Sequence, residues 1–345
     1  MLGYVTSFSA MTTARVAAVG MLLPSAGDCA GGPSQIFKDW EVACDNTLHC
    51  EAVGFAAEDA EAAVSLWLGR DAGPGAPVTA RVSVAVPEGQ QEPAELTLKV
   101  GEVVVAGVVP DTGIPAATIG PALPRLLEAA SALISDGRRK WTLSLAGAKA
   151  ALLKIDDVQG RVDTPGALVR KGTKAEASVR PALPPAPVRA TVALPDKAGD
   201  EKLIAPILQA VRERTCWEDQ PDSDQPATEI HRLSGSQVLV MRECGRAAYQ
   251  SNWVAWIAAD RPPHAPVQAV FPTATGEPGY LMNASFEAGT MSAYAKGRGI
   301  GDCGSSSIWV WTGQGFALLD ASVAMHCRGI AGGVPLRTWV GRKVP

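Results

Sequence analysis

Apolar and polar residues alternate with a period of two along much of this chain, the signature of strands with one buried face. Val78, Ala80, Val82, Val84 and Val86 share a face, as do Leu96, Leu98 and Val100, and again Trp141, Leu143 and Leu145. A different spacing appears between them. Pro124 suits a first helical turn, Leu127, Ala130 and Ile134 form an apolar stripe, and Gly137 suits a left-handed stop, so one helix is expected there. The first folded unit runs from residue 35 to 179, as a mostly β domain with one packed helix.

Prolines 181, 184, 185, 187 and 195 then crowd residues 180–199. Proline at that density disfavours helix and ladder alike, and the stretch reads as a semi-stiff linker. The second unit, 200–345, opens with a short helix, apolar at Leu203, Ile207 and Val211, with Pro206 near its true start. Strands rich in Val, Ile and Trp follow. The fold class expected is mainly β, or α+β: two mostly antiparallel β domains, each with one packed helix.

The second unit also reads as an internal duplication. One copy is Cys216, the run Glu229–Val240 turning at Ser234-Gly235, then Cys244-Gly245-Arg246 and Trp253-Val254. The other is Cys303, the run Ser307–Leu318 turning at Thr312-Gly313, then Cys327-Arg328-Gly329 and Trp339-Val340. Each carries two apolar alternating runs around a turn, a hairpin signal.

The N-terminus changes the picture of where the protein works. Arg15 is the only charged residue from Met1 to Gly27; the apolar run Val16–Leu23 follows, then Ser25, Ala26 and Gly27. A positive residue, a short apolar core and a small-residue exit read as a secretory signal within residues 1–30. Cleavage is expected between 26 and 31, and Met11 could serve as the start instead of Met1. The apolar run is shorter than the ~20 residues a membrane helix takes, so no integral span is expected. Cys29 lies at the processing region, where Asp28 is a poor neighbour for lipidation. The expected location is periplasmic or secreted.

Cysteine usage agrees with export. Cys44 and Cys50, Cys216 and Cys244, and Cys303 and Cys327 form three sequence-local pairs, as in a disulfide framework. Hydrophobic residues make up 47% and charged residues 19%, which suits a packed globular chain. The net charge is −4 with no basic run, so nucleic-acid binding is excluded on electrostatic grounds.

Two stretches carry a recognisable pattern. One is Phe37-Lys38-Asp39-Trp40 with Cys44-Asp45-Asn46 and Cys50–Phe55; the other is Ala295–Gly304, followed by Trp309-Val310-Trp311 and Cys327-Arg328-Gly329. Together they resemble the DUF1176 family of exported bacterial proteins. The opening Asp-Trp…Cys…Cys is also similar to the invasion-associated locus B family, within the first unit. The first resemblance implies an envelope location and no chemistry.

Gly299–Gly304 fits G-x-G-x-x-G, but the residues after it read as a strand, whereas the dinucleotide mechanism needs a helix N-terminus there. Cys303 in Gly-Asp-Cys-Gly resembles a protease nucleophile turn, yet no histidine of the four sits in a matching motif. His49-Cys50 and His326-Cys327 are isolated dipeptides without zinc-ligand spacing. No catalytic residue, metal or cofactor is expected. Lys296 and Arg298 flank glycines in a loop that could hold an anion. Asp156-Asp157 suits a turn. Tryptophans 253, 256, 309, 311 and 339 of the second unit suit either a core face or an aromatic binding surface. The sum is an exported envelope protein acting in binding or assembly, with an envelope protein as a possible partner. The rival is a hydrolase-like envelope enzyme with its site where the two units meet.

Overall fold

The computed structural model describes residues 34–211 and 226–345. The chain is mostly β, in several antiparallel sheets. In the N-terminal half, β1 (Gln35–Phe37), β2 (Trp40–Cys44), β3 (Cys50–Phe55), β4 (Val64–Arg70) and β5 (Val78–Val84) form a meander in that order. A second sheet holds β6 (Leu96–Val100), β7 (Val103–Val108), β8 (Ser131–Ser135) and β9 (Lys140–Ser144), in the order β7-β6-β8-β9.

The first sheet is buried on both faces, which explains a near-continuous run of buried residues in β2 and β3. Trp40, Val42, Cys50 and Ala52 face the core of the N-terminal half. Ala43, Val53 and Phe55 face the other way, onto Ile330, Val334 and Leu336 of the C-terminal half. Trp40 needs room: its indole donates to Ser144 O at 3.0 Å, and a β-carbon at Gly54 would collide with the ring.

The expected helix around Pro124 shrinks to one-turn pieces, α1 (Ala116–Ile119) and α2 (Leu123–Leu126). Leu127, Ala130 and Ile134 do not share a helix. Ile134 lies on β8, which pairs with both β6 and β9, so sheet closure overrides a coincidental helical spacing. Gly137 makes the β8–β9 turn, at φ +87°, rather than a helix stop. The packed helix is instead α3 (Ala148–Val158), with Ala148, Ala151, Leu152 and Ile155 buried. Asp156 therefore sits on a helix and not in a turn, fully buried beside an exposed Asp157.

The proline-rich stretch is not wholly without ladder. β10 (Ala186–Arg189) pairs in parallel with the last strand of the chain. It lies at a sheet edge, where Pro187's missing N–H is tolerated. The short α4 (Ile204–Ala210) follows, with Pro206 inside its first turn.

In the C-terminal half, β11 (Thr228–Arg232), β12 (Gln237–Ala247), β13 (Gln250–Ala259) and β14 (Val267–Gln268) form one sheet, with β15 (Leu281–Met282) also paired to β13. The other sheet holds β16 (Ser285–Glu287), β17 (Thr290–Lys296), β18 (Gly304–Trp311), β19 (Phe316–Ala324) and β20 (Leu336–Val344), in the order β10-β20-β19-β18-β17-β16. The inner faces enclose a core of Leu239, Met241, Ala255, Phe271, Trp309, Trp311 and Leu318. Both expected hairpins form, and each continues into a third strand, giving the meanders β11-β12-β13 and β18-β19-β20. In each, the ladder shifts register beside the tryptophan pair, Glu243↔Trp253 in one and Ala321↔Trp339 in the other.

Candidate binding groove

The groove arises where the core face of the six-stranded sheet emerges from beneath its cover. Successive cross-strand rows on that face change in size. Met291–Trp309–Leu318 are large and buried. The next row, Ala293–Ser307–Ala321–Trp339, has small residues at three positions. The row after it, Ala295–Ser305–Val323–Leu336, opens outward and ends on Leu336, which packs against the N-terminal half. The trough left above the small residues measures about 680 Å³. Its wall is the 273–282 segment, with Pro278, Gly279, Tyr280 and Met282, and Met325 and Ser34 stand at the end near the junction. Tyr280 is 83% exposed on the rim and Met325 is 55% exposed. Gly279 allows the close approach, since a β-carbon there would come within 2.9 Å of the Trp309 ring. The lining is apolar and hydroxyl-bearing; Glu277 and Tyr280 are its ionisable members.

The seam between the halves holds a set of ionisable groups. Glu41 is buried and accepts the N–H of Met325 at 2.9 Å and of His326 at 3.4 Å. Burial pushes its carboxyl upward against those hydrogen bonds. Arg337 donates to Asp45 Oδ2 at 2.6 Å, and its backbone N–H to Glu51 Oε2 at 2.6 Å. Asn46 mimics a strand against Val340, donating to its carbonyl at 2.9 Å and accepting its N–H at 2.7 Å. Arg328 reaches Asp39 Oδ1 at 3.0 Å. Asp320, raised chiefly by burial, lies in the field of Arg337, Asp45 and Glu51. His49 is raised: burial opposes this, and hydrogen bonds to Glu51 and Asp71 outweigh it. None of these groups lines the groove. The bonds of Glu41, Asn46, Arg328 and Arg337 cross the seam and close it.

His326 provides a pH handle on that seam. Its ring packs at a tilt against Phe55, with centroids 5.4 Å apart, and burial, then the charge of Arg328, holds its pKa below the ordinary value of 6.5. A histidine depressed in the folded state stays neutral while the unfolded chain takes up a proton. Its contribution is therefore intact above about pH 6.5 and is lost as pH falls through the folded-state value. The difference in melting temperature between the wild type and His326→Phe should shift in favour of the variant from pH 7.5 to pH 5. A pH-independent difference would show that His326 does not titrate in this way.

Of the residues singled out from sequence, Cys44 and Cys50 are bonded across β2 and β3, with Cα atoms 4.0 Å apart. Asp45 shapes the turn between them by accepting the N–H of Thr47 at 2.8 Å and of His49 at 3.2 Å. Cys303 and Cys327 are bonded, with Cα atoms 4.7 Å apart. Cys244 is disulfide-bonded as well; Cys216, its expected partner, and Cys29 lie outside the described residues. The expected signal segment, 1–30, also lies outside them.

The Gly299–Gly304 loop leads into β18, a strand, with Gly301 and Gly304 at positive φ. Arg298 is ion-paired with the buried Asp302 and donates to Cys327 O at 3.1 Å. Lys296 ends β17 and its N–H is bound by Gln250 Oε1 at 2.7 Å. Asp302, Cys303 and Cys327 place three potential metal-ligand atoms within 4.8 Å of one another, but both sulfurs are bonded to each other. Trp256, Trp309 and Trp311 are buried, and Trp253 and Trp339 pack against the core. Sequence reasoning missed the groove floor and the seam acids. The one legible signal was the Ser305-Ser306-Ser307 run opening a strand otherwise built of large residues.

The two-sheet halves, the Cys44–Cys50 hairpin and the Cys303–Cys327 loop define a mostly β disulfide protein whose family is recognisable. The DUF1176 family, proteins of unknown function, matches residues 34–342, and the chain belongs to it. It is 29% identical over 340 residues to the uncharacterized protein YpfG of Escherichia coli (strain K12), covering 89% of this chain and 92% of that protein. No solved structure matches.

Proposed function

We propose that this is an exported envelope protein that acts by binding, with the groove of the C-terminal half as its recognition site. The observation that carries the reading is the change from large to small residues along one face of the six-stranded sheet. A protein interior is normally filled to the density of an organic crystal. Here Ala293, Ala295, Ser305 and Ser307 leave an open apolar trough with a tyrosine and two methionines at its margins. Such concave, mostly apolar surfaces with a few hydroxyls take neutral, largely apolar ligands or side chains, and methionine lets the rim adapt. The signal-like N-terminus and the paired cysteines support export. A second support is the seam, whose ionisable groups are committed to structure and leave the groove serines without a neighbouring imidazole among its lining residues.

The experiment has two arms. Expressed with residues 1–30, the protein should be recovered outside the cytoplasm at the mass of a chain cut between 26 and 31; an uncut cytoplasmic product would reject export. The purified protein should bind the neutral dye Nile red with a blue-shifted emission, and Ala295→Trp, which fills the trough, should weaken binding by about tenfold or more. Equal binding by this variant, with an unchanged circular dichroism spectrum, would remove the groove as the site.

A further inference from the structure

The Cys303–Cys327 bond stands where the C-terminal half grips the N-terminal half. Residues 325–330 make much of that grip. Met325 and His326 donate to Glu41, and Arg328 donates to Asp39 and to the Ala56 carbonyl. Gly329 lies against Ala63, and Ile330 packs with Val53 and Phe55. The same six residues are held from behind by the loop before β18. That hold consists of the disulfide, the Arg298 bond to Cys327 O at 3.1 Å, and the Gly329 N–H on Asp302 Oδ2 at 2.6 Å. The packing is close: a β-carbon at Gly297 would collide with Cys303 Sγ.

The bond is asymmetric. Cys303 is 3% exposed, whereas Cys327 is exposed. In the Cys44–Cys50 pair, Cys50 is fully buried and Cys44 half-buried. Thiol–disulfide exchange needs a line of approach to one sulfur, and Cys327 offers it. Asp302, within 4.8 Å of both sulfurs, would repel an incoming thiolate, but its charge is met by Arg298.

We infer that Cys303–Cys327 is a redox-addressable clasp on the seam, opened by a dithiol of the small-molecule or Cys-x-x-Cys protein class. One thiolate of the dithiol attacks Cys327 Sγ, forming a mixed disulfide and releasing Cys303 as a thiolate that takes a proton. The second thiol of the reagent, deprotonated, then displaces Cys327, which is protonated in turn. Two electrons pass to the protein and the reagent leaves as a cyclic disulfide. With the clasp open, residues 325–330 keep their contacts to the N-terminal half but lose their covalent brace, and the seam opens more often.

The test uses the mature full-length protein under native conditions. It is titrated with dithiothreitol, quenched by alkylation at each step and mapped by mass, with amide hydrogen exchange in parallel. Cys303 and Cys327 should be labelled together, before Cys44 and Cys50. Exchange in residues 36–43 and 325–337 should then rise by about tenfold or more, while β4, β5, β12 and β13 keep their protection. The double variant Cys303→Ser with Cys327→Ser should reproduce that pattern without reductant; should it fail to fold, the wild-type titration decides. Earlier labelling of Cys44 and Cys50, labelling only upon global unfolding, or an unchanged seam after the bond has opened would each overturn the clasp.

Discussion

Replacing Asp156 by alanine is expected to cost the protein about 3–5 kcal/mol, the range for breaking a buried charge pair from one side. Its carboxylate accepts the N–H groups of Leu168 and Val169, at 2.9 and 2.8 Å, and lies 3.8 Å from the Arg70 guanidinium. All of this is out of solvent: Asp156 is fully buried and Arg70 nearly so. Burial already pulls Arg70 down to about 10, so it tolerates the loss of its partner poorly. Two backbone donors would be stranded as well. The neighbouring carboxylate is the control. Asp157 is exposed and lies 3.8 Å from Lys154, so Asp157→Ala should change stability by less than about 0.5 kcal/mol. Urea unfolding followed by tryptophan fluorescence measures both. A cost below about 1 kcal/mol for Asp156→Ala would mean that the 156–180 segment is not anchored through this group.

A loss of similar size is expected in the C-terminal half for Arg232→Met. Arg232 is 3% exposed and forks onto Asp200, with its Nη1 on Asp260 Oδ2 at 3.0 Å. Its backbone N–H is held by Asp196 Oδ1 at 2.7 Å. These bonds fasten the end of the proline-rich stretch and the short helix after it to β11. Methionine keeps much of the volume but leaves two carboxylates facing a vacated cation site, again about 3–5 kcal/mol. Arg232→Lys separates charge from geometry. A lysine supplies one point charge and cannot span both carboxylates, so it should recover less than half of the loss. Full recovery by lysine would show that charge alone matters there. The same urea titration, read together with circular dichroism, discriminates the outcomes.

Much of the fold could be read directly because strand periodicity is local. Val78–Val84, Leu96–Val100 and Lys140–Ser144 form strands where alternation placed them. Both hairpins form around their Ser-Gly and Thr-Gly turns. The disulfide Cys44–Cys50 was legible because six residues close a hairpin easily, and Cys303–Cys327 because each member flanks one hairpin.

Other features are decided by tertiary context. Residues 127–134 have an apolar spacing that suits a helix, yet β6 and β9 take Ser131–Ser135 as the strand between them. Conversely, Ala148, Ala151, Leu152 and Ile155 follow helical spacing, but alanines and a lysine-bearing sequence weaken the apolar contrast that makes a helix obvious. Pro187 argued against a strand, and only the open edge of β20 makes one possible.

What the sequence by itself determined is the class of protein: an alternating, cysteine-paired β chain carrying the two stretches that mark its family. These follow from periodicity, turn chemistry and residue spacing, which act over a few residues at a time. The groove and the seam were decided only by tertiary structure. Nothing in the neighbourhood of Glu41 announces a buried carboxylate, because its partners, Met325 and His326, lie 284 and 285 residues away. The groove likewise exists because three strands align their small residues in adjacent rows while the covering sheet stops short, a coincidence of register and cover that no single stretch of chain encodes.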